Sequence, residues 1–384
     1  MEQQSVRKTY KYKLDPTPDQ ERALGHTHTL CRRVYNCALE QRRTWWERGQ
    51  CGGQGKSATY YQQKAELPDL KAACPDYAAV NAQVLQDVIL RVERAFQAFF
   101  RRGAAGETPG YPRFQGAGRY NSFTYPQYGG GAVLDGGLLS LSKIGRIRIR
   151  VHRPLAGTPK TVTISREADG WYACLSCADV PRQPLPPTGR ETGIDVGLKV
   201  FLITADGKIV ENPRHYRTAE KQLAKAQRRV SRRTQGSHRR RKAVRLLTRA
   251  RQKVRRARAD FHHKTALTLL RQYDTIYLEE LQVRNMVRNS HLSKSISDAG
   301  WAAFRTILDA KAACAGRQVI AVPVQYTSQD CSGCGERVPK SLSVRTHVCP
   351  SCRLVLDRDE NAAINILRAG QARQGAVAVA AVMN

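Results

Sequence analysis

Four cysteines in the carboxyl-terminal part of the chain have the spacing of a metal site. They form two Cys-x-x-Cys pairs, Cys331/Cys334 and Cys349/Cys352, separated by fourteen residues. Two such pairs are typical of a zinc ribbon, in which two tight turns each offer two sulfurs to one tetrahedral ion. Two disulfides or four free thiols are the alternatives, and the regular spacing favours zinc. Because four protein sulfurs leave no open position, this zinc is predicted to be structural.

A further pair, Cys174 and Cys177, lies in a stretch that reads as a β-strand. Residues three apart in a strand point to opposite faces, so this pair is predicted to be two buried structural thiols. The other cysteines, Cys51 among them, are scattered. The total of eleven is odd and no secretory signal precedes it, which indicates a reducing compartment.

Acidic residues are scarce, and three of them occupy unusual positions. The chain has 64 Lys and Arg against 32 Asp and Glu. Asp195 and Glu279 each lie at the end of a short apolar stretch that reads as a strand. Asp359 follows the cysteines at the start of a helix, where Asp357 and Glu360 have the spacing of a capping box and leave Asp359 free.

Carboxylates that converge from separate elements are the ligands that Mg²⁺ or Mn²⁺ prefers. Two such ions about 3.5–4 Å apart can activate water and stabilise the leaving oxygen in phosphodiester cleavage. Asp195, Glu279 and Asp359 are therefore predicted to be catalytic residues and magnesium ligands. Any one of them alone would more often be a surface acid or a helix cap.

The net charge of +32 predicts a polyanionic partner, with nucleic acid the first candidate. Residues 221–258 contain 17 Lys or Arg and no acid. Apolar residues there, Leu247 and Val244 among them, recur at three- and four-residue steps, which predicts two helices joined at Gln235-Gly236. Such a hairpin should bind phosphates without reading bases. The residues predicted to contact nucleic acid are Arg228, Arg229, Arg232, Arg233, Arg239, Arg240, Arg241 and Lys242.

The elements around the acids predict an RNase H-like α/β order. Strands near 191–205 and 208–210 precede the basic helices, which end near Tyr273, and the strand of Glu279 follows. A helix near 299–315, with Asp298 as its cap, leads to a strand near 318–325. Upstream, residues 16–115 read as helices, with Arg91 beside an apolar stripe and able to reach phosphate. No apolar run reaches the eighteen or so residues of a membrane span.

Eight short runs of sequence carry a family resemblance. They are Tyr10–Gln20, Arg33–Asn36, Tyr111–Phe114, Gly193–Gly197, Phe261–Lys264, Ser297–Trp301, Tyr326–Cys331 and Asp357–Asn365. In these runs the chain resembles TnpB, the RNA-guided nuclease of small bacterial insertion sequences and a relative of the type V CRISPR effectors. The resemblance places the family's RuvC catalytic triad on Asp195, Glu279 and Asp359.

The resemblance implies a multidomain α/β protein. Residues 1–15 and 117–187 would form a wedge-like β-barrel domain that carries a helical recognition domain at 16–116. Residues 188–384 would form an RNase H-like (RuvC) nuclease domain with a zinc-ribbon insert at 327–356, and 184–187 a linker into it. Guide RNA, target double-stranded DNA, Mg²⁺ or Mn²⁺ and structural Zn²⁺ are the implied partners and cofactors. A cytoplasmic, nucleoid-associated monomer is expected.

The implied activity is RNA-guided, metal-dependent cleavage of DNA next to a short flanking motif. Two alternatives stay open. The first is an RNA-guided DNA-binding protein that does not cut, against which the complete triad argues. The second is a DNA transposase that acts without RNA, but such enzymes usually end their carboxylate order in Glu, whereas this chain ends it in Asp359.

Overall fold

A computed structural model describes residues 5–50, 58–323, 325–341 and 344–382. Cys51 and the last two residues of the Ala/Val-rich tail lie outside these ranges. The described residues divide into two compact units, one within residues 5–181 and one within residues 182–382. Within the described residues, no helix is both long and apolar enough to cross a membrane.

The first unit contains a strongly curved sheet of seven strands. They are β1 (Ser5–Asp15), β2 (Ser122–Tyr125), β3 (Ala132–Asp135), β4 (Leu138–Leu141), β5 (Gly145–Arg150), β6 (Thr158–Glu167) and β7 (Gly170–Pro181), in the order β2-β6-β7-β1-β5-β4-β3. The segment between β2 and β3 nearly closes the sheet, since Tyr128 bridges to Ala132 and donates its N–H to the carbonyl of Lys160. Alternation sets the inner face: Ile147 and Ile149 of β5 are buried, while the three arginines that alternate with them are exposed.

Four α-helices complete this unit: α1 (Pro18–Gln50), α2 (Tyr60–Ala65), α3 (Leu67–Ala73) and α4 (Ala82–Ala104), with a 3₁₀ turn at Pro75–Ala79. The apolar stripe of α4 belongs to the core, since Val88 and Val92 are fully buried. The prediction that Arg91 reaches phosphate is wrong. Its guanidinium binds Asp87 at 2.8 Å and the Ser122 carbonyl at 2.7 Å, because it ties α4 to β2.

The second unit is a three-layer α/β structure. Its main strands are β8 (Glu191–Val196), β9 (Val200–Thr204), β10 (Ile209–Glu211), β11 (Thr275–Glu279) and β12 (Gln318–Val322), in the order β10-β9-β8-β11-β12. β11 is parallel to both β8 and β12, whereas β9 and β10 run antiparallel to their neighbours. A small hairpin of β13 (Thr346–Val348) and β14 (Val355–Asp357) stands apart from this sheet.

The described residues of the second unit form six helices: α5 (His215–Ser231), α6 (His238–Gln272), α7 (Val283–Met286), α8 (Ser293–Ala299), α9 (Trp301–Ala315) and α10 (Arg358–Val382). One face of the sheet packs on α6 and α9, with Phe201, Leu270 and Phe304 in the core between them. α10 lies on the other face, with the small residues Ala362 and Ala363 buried. A Cβ at Gly193 of β8 would overlap the backbone of Ala363, so this close approach requires glycine.

The basic hairpin has the predicted form. Ser237 caps α6 by accepting the N–H of Arg240, and Gly236 in the turn before it has φ +81°. Leu247 lies in the buried seam between α5 and α6, as predicted, but Val244 is 42% exposed and Ala243 takes its place.

One prediction about a helix cap is wrong. Asp298 does not cap the helix that follows it, which begins at Trp301. It caps α5 instead, since its carboxylate accepts the backbone N–H groups of Tyr216 at 2.8 Å and Arg217 at 3.2 Å. In the 184–187 stretch, the predicted linker, the N–H of Leu185 binds the carbonyl of Ala315.

Candidate metal centres and nucleic-acid interface

Two of the predicted acids lie side by side at one end of the sheet. Asp195 is the penultimate residue of β8 and Glu279 is the last residue of β11. The parallel register pairs Leu278 with Ile194, so the next step along both strands brings Glu279 beside Asp195. Because the carboxyl ends of parallel strands meet at one edge, both side chains project from the same edge of the sheet.

The third acid reaches this edge from α10. Asp359 is buried, and one of its carboxylate oxygens lies 3.9 Å from the Cβ position of Gly197, two residues after Asp195. Asp357 is the helix cap, as predicted, and accepts the N–H of Asp359 at 2.8 Å. Glu360, the expected partner in a capping box, points elsewhere: its carboxylate lies 3.1 Å from the Cβ position of Gly207.

The surroundings of the acidic cluster disfavour the charged forms of Asp195 and Glu279. Desolvation, followed by the nearby charges of Asp359 and Glu279, raises the pKa of Asp195 to about 8. Desolvation also raises the pKa of Glu279. A cation at this edge would relieve the repulsion, and carboxylate oxygens are the ligands that hard divalent ions take.

Two arginines that the sequence analysis did not select contact Asp359. Arg345, just before β13, approaches its carboxylate at 3.2 Å, and Arg358, at the first position of α10, approaches it at 3.1 Å. Arg358 could have been found from its place inside Asp357-Arg-Asp359. Arg345 carries no such signal, because only the fold of the ribbon brings it to the acid.

The four predicted zinc ligands meet at one point. Their sulfurs all lie within 4.8 Å of one another, and the Cys331–Cys352 and Cys334–Cys349 pairs are each 3.5 Å apart. Zn–S bonds of about 2.3 Å to the corners of a tetrahedron would place the sulfurs about 3.8 Å apart, so the cluster fits one zinc ion. Backbone N–H groups of Cys352 and Ser351 lower the pKa of Cys349 to about 6, which favours the thiolate that binds metal.

Across the described ranges, this is the one group of three or more His, Cys, Asp or Glu ligand atoms with that spacing. The three carboxylates are therefore more widely spaced than the sulfurs. The other pair, Cys174 and Cys177, lies on β7 as free thiols, and burial raises the pKa of both.

Two asparagines of α10 attach the ribbon to the helix that carries Asp359. Asn361 is fully buried; its side-chain oxygen accepts the N–H of Ser332 at 2.8 Å, and its amide donates to the carbonyl of Asp330 at 2.8 Å. Asn365 donates to the carbonyls of Thr327 and Asp330 at 2.8 and 2.7 Å. Sequence reasoning missed this role, although two Asn four residues apart share one helix face.

The predicted nucleic-acid contacts lie on the basic hairpin, and seven of the eight are exposed. A groove of about 850 Å³ along the hairpin is lined by Arg228, Arg229, Arg232 and Arg233. Arg240 differs from the others. Its guanidinium donates to the carbonyls of Val230 at 2.9 Å and Arg233 at 2.8 Å, so it closes the hairpin turn.

Family profiles and known proteins both match this chain, and the matches are consistent with one another. A family profile described as "Probable transposase" matches residues 174–290, one described as "Cas12f1-like, TNB domain" matches 301–366, and one described as "Helix-turn-helix domain" matches 1–51. A Streptomyces pristinaespiralis protein named "Putative RNA-guided DNA endonuclease" is 36% identical over 96% of this chain and 90% of its own length. The Escherichia coli K12 protein "Putative RNA-guided DNA endonuclease InsQ" is 31% identical over 94% of this chain and 92% of its own.

Two solved structures share the fold at low sequence identity. One is the Cas12f1–sgRNA–target DNA complex, with a TM-score of 0.54 and 15% identity over 91% of this chain and 83% of that chain. The other is the mini RNA-guided endonuclease Cas-phi3, with a TM-score of 0.53 and 9% identity over 95% of this chain and 92% of that chain.

Proposed function

Because this chain belongs to the TnpB family of transposon-associated proteins, to which its relatives of 31–36% identity belong, we propose that it is an RNA-guided DNA endonuclease. The relatives match over nearly their full length, so the whole activity is proposed and not one module of it. In this reading a guide RNA pairs with the target strand, and the protein holds the heteroduplex by its shape and backbone. The protein itself reads only a short motif beside the target.

Asp195, Glu279 and Asp359 are the proposed catalytic acids. The observation that carries the proposal is the convergence of Asp195, Glu279 and Asp359 from β8, β11 and α10. Desolvation, followed by the nearby charges of Asp359 and Glu279, raises the pKa of Asp195 to about 8. These carboxylates would hold Mg²⁺ or Mn²⁺ together with water, since Mg²⁺ usually keeps several waters. When bound, such ions supply an activated water and charge stabilisation at the leaving oxygen. The protein's own residues fix where that chemistry happens: Asp357 orders the start of α10, and Arg345 and Arg358 orient Asp359.

The domain roles follow the same reading. We assign residues 188–384 to an RNase H-like nuclease domain, supported by the sheet order β10-β9-β8-β11-β12 and by the acids at its edge. The four cysteines would hold a structural zinc in a ribbon at 327–356. Residues 1–15 and 117–187 are assigned to a wedge-like barrel and 16–116 to a helical recognition domain, supported by the nearly closed seven-stranded sheet and by α1 to α4.

We assign the excess of Lys and Arg residues to the binding of RNA and DNA. The exposed arginines of the basic hairpin would contact phosphates, which gives affinity without reading sequence. Arg240 is the exception among the predicted contacts, because its donors are used within the hairpin. A cytoplasmic, nucleoid-associated monomer stays the expected state of the protein.

The test is a programmed cleavage assay. The protein is purified with the structured RNA encoded next to its gene, and the guide segment is replaced by a chosen sequence. With Mg²⁺ we expect cuts only in duplexes that match the guide and carry a flanking motif selected from a randomised library. Binding without cutting would favour the RNA-guided binding protein. Cutting or joining of transposon ends without RNA would favour the transposase.

A further inference from the structure

We propose that a basic groove beside the acidic cluster holds a backbone phosphate of the DNA strand that is being cut. The groove has a volume of about 480 Å³ and lies where the β8–β9 turn meets the start of α5. Its lining includes Leu198 and Lys199 of the turn, Arg214 just before α5, Arg217 of α5, and Ser295 of α8. This inference rests on the proposed function, because it names a contact for the same strand at the same site.

The β8–β9 turn forms a common wall between the groove and the acids. On one side, the Cβ position of Gly197 lies 3.9 Å from the Asp359 carboxylate. On the other side, the next two residues, Leu198 and Lys199, line the groove. A strand whose scissile phosphate lies at the carboxylates therefore has a neighbouring phosphate within reach of the groove.

Hydrogen bonds hold this wall in place. The side-chain amide of Asn212 donates to the carbonyl of Leu198 at 3.0 Å, and the guanidinium of Arg214 approaches the carbonyl of Lys199 at 3.4 Å. The turn is thereby tied to the segment that begins α5. A fixed wall matters, because a phosphate contact positions a strand only when the contact itself does not move.

The charge of the groove is positive where a ligand would meet it. Lys199, Arg214 and Arg217 are all exposed. In the described part of the chain no carboxylate pairs with Lys199 or Arg214, whereas Arg217 lies 3.5 Å from Glu220 and 3.4 Å from Ser295. Lys199 and Arg214 therefore have donors available for an anion.

The acid in the groove does not cancel this charge. Asp298 is buried and accepts the backbone N–H groups of Tyr216 and Arg217, with Arg258 at 3.8 Å. Its oxygens are directed to the first turn of α5, so the helix end is already capped. The cations of the groove, and not the helix terminus, are the proposed anion ligands.

The chemistry of the lining selects the backbone of nucleic acid over its bases. Bases bind to single-strand sites mainly by stacking on aromatic side chains, and none of the described residues that line this groove is aromatic. Lysine and arginine contact phosphates of any sequence. The ligand is therefore a phosphodiester of single-stranded DNA, held in the same way at every target.

The test variant removes both free cations, as Lys199→Ala/Arg214→Asn. Asn is used at 214 because that residue has φ +47°, a conformation that Asn tolerates. The matched control, Lys264→Ala/Arg271→Ala, removes one lysine and one arginine from exposed positions of α6. Both variants should keep the thermal unfolding midpoint of the wild type.

In the first arm, guide-loaded protein cuts matching duplexes that carry a single neutral methylphosphonate at successive positions around the cut. In the wild type, one or two positions beside the cut should slow cleavage about tenfold, the value of one charged hydrogen bond. The groove variant should cut all-phosphate DNA about tenfold more slowly and show no further loss at those positions, while Lys199→Arg/Arg214→Asn recovers part of the rate. An unchanged rate, or unchanged methylphosphonate interference, would overturn the proposal.

A second arm separates this inference from the proposed function. Binding of labelled single-stranded DNA is measured without guide RNA, in an Asp195→Ala background, across a range of salt. The slope of log K against log salt should fall by about 0.7 for each phosphate that the groove variant no longer neutralises, and it should stay unchanged in the control. If the wild type fails to cut any programmed target, the proposed function fails, and this slope still decides whether the groove binds phosphate.

Discussion

The cysteine cluster and the carboxylate cluster are seven residues apart at Cys352 and Asp359, but they are built in opposite ways. The four sulfurs come from two tight turns between residues 331 and 352, and they lie within 4.8 Å of one another. The three carboxylates come from β8, β11 and α10, between residues 195 and 359, and they are more widely spaced. The first cluster is a local structure, whereas the second exists only when the whole sheet has formed.

The two clusters also differ in how their charge is balanced. Backbone N–H groups favour the Cys349 thiolate, so the protein itself prepares a closed site. Arg345 and Arg358 contact Asp359, but Asp195 stays unfavourable as an anion beside Glu279 and Asp359. Four thiolate ligands that leave no open position suit a permanent structural ion. Carboxylate ligands that repel one another suit divalent ions that take part in the reaction.

The largest effect is expected at the cysteines. Cys349→Ser removes one of four ligands, and structural zinc contributes on the order of 10 kcal/mol to folding. We expect bound zinc to fall from one ion per chain to almost none, with loss of the ribbon and of cleavage. Zinc is measured by elemental analysis and folding by circular dichroism. Cys174→Ser, which changes a free thiol of β7, should keep its zinc; a Cys349→Ser protein that kept zinc and stability would contradict the structural site.

The second-largest effect is expected at the carboxylate cluster, with the zinc site left intact. Asp195→Ala should lower cleavage roughly 10³-fold, because a metal-binding carboxylate contributes several kcal/mol to the transition state. Zinc content and guide-dependent DNA binding should be unchanged. Single-turnover cleavage and gel-shift binding give both values. Asp309→Ala, at a half-exposed acid of α9, is the control. Cleavage that survives in Asp195→Ala would show that the metal site lies elsewhere.

The third change acts on the connection between the clusters. Asn361→Ala leaves the N–H of Ser332 and the carbonyl of Asp330 without their buried partner, at a cost of about 1–3 kcal/mol. Zinc should remain bound while cleavage falls about tenfold, because the ribbon no longer holds Arg345 firmly at Asp359. Asn361→Asp keeps the acceptor for Ser332 and should be milder on stability. If Asn361→Ala cuts like the wild type, the ribbon does not position the acid.

The sequence predicts features that depend on neighbours along the chain. The cysteine spacing and the turn at Gly236 each involve a few adjacent residues, and the structure agrees with both. The α/β class and the strands that carry Asp195 and Glu279 were also predictable, because short apolar runs between helical segments are typical of such a sheet.

The sequence does not predict partners that meet across the fold. Asp298 was predicted to cap the helix that follows it, but it lies inside α8, and the donors it binds are 81 and 82 residues away. Arg345 has no local pattern that distinguishes it from a surface residue, and the spacing of Asn361 and Asn365 indicates a shared helix face but not the groups that they bind. Their roles depend on where the ribbon docks, which periodicity and spacing do not encode.

The smallest effect is expected at Asp206, an acid whose pKa is lowered, in contrast to the raised pKa of Asp195. Asp206 lies in the next turn of the same sheet, and its environment is opposite. Desolvation would raise its pKa, but hydrogen bonds from Thr204, Tyr273 and Lys208 outweigh that and lower it to about 2. A folded-state pKa below the unfolded value adds stability at neutral pH, and this stability is lost as the pH falls from about 4 towards 2.

Asp206→Asn should therefore lower the free energy of unfolding by about 1 kcal/mol at pH 7, a figure reduced for solvent screening since the side chain is 33% exposed. The difference from the wild type should shrink as the pH is lowered from 4 to 2.5. Urea unfolding at each pH measures it, and guide-dependent cleavage at pH 7 should be unchanged. A difference that is independent of pH would show that the donors around Asp206 do not act on its charge. A large loss of cleavage would show that the carboxylate cluster extends beyond its three proposed members.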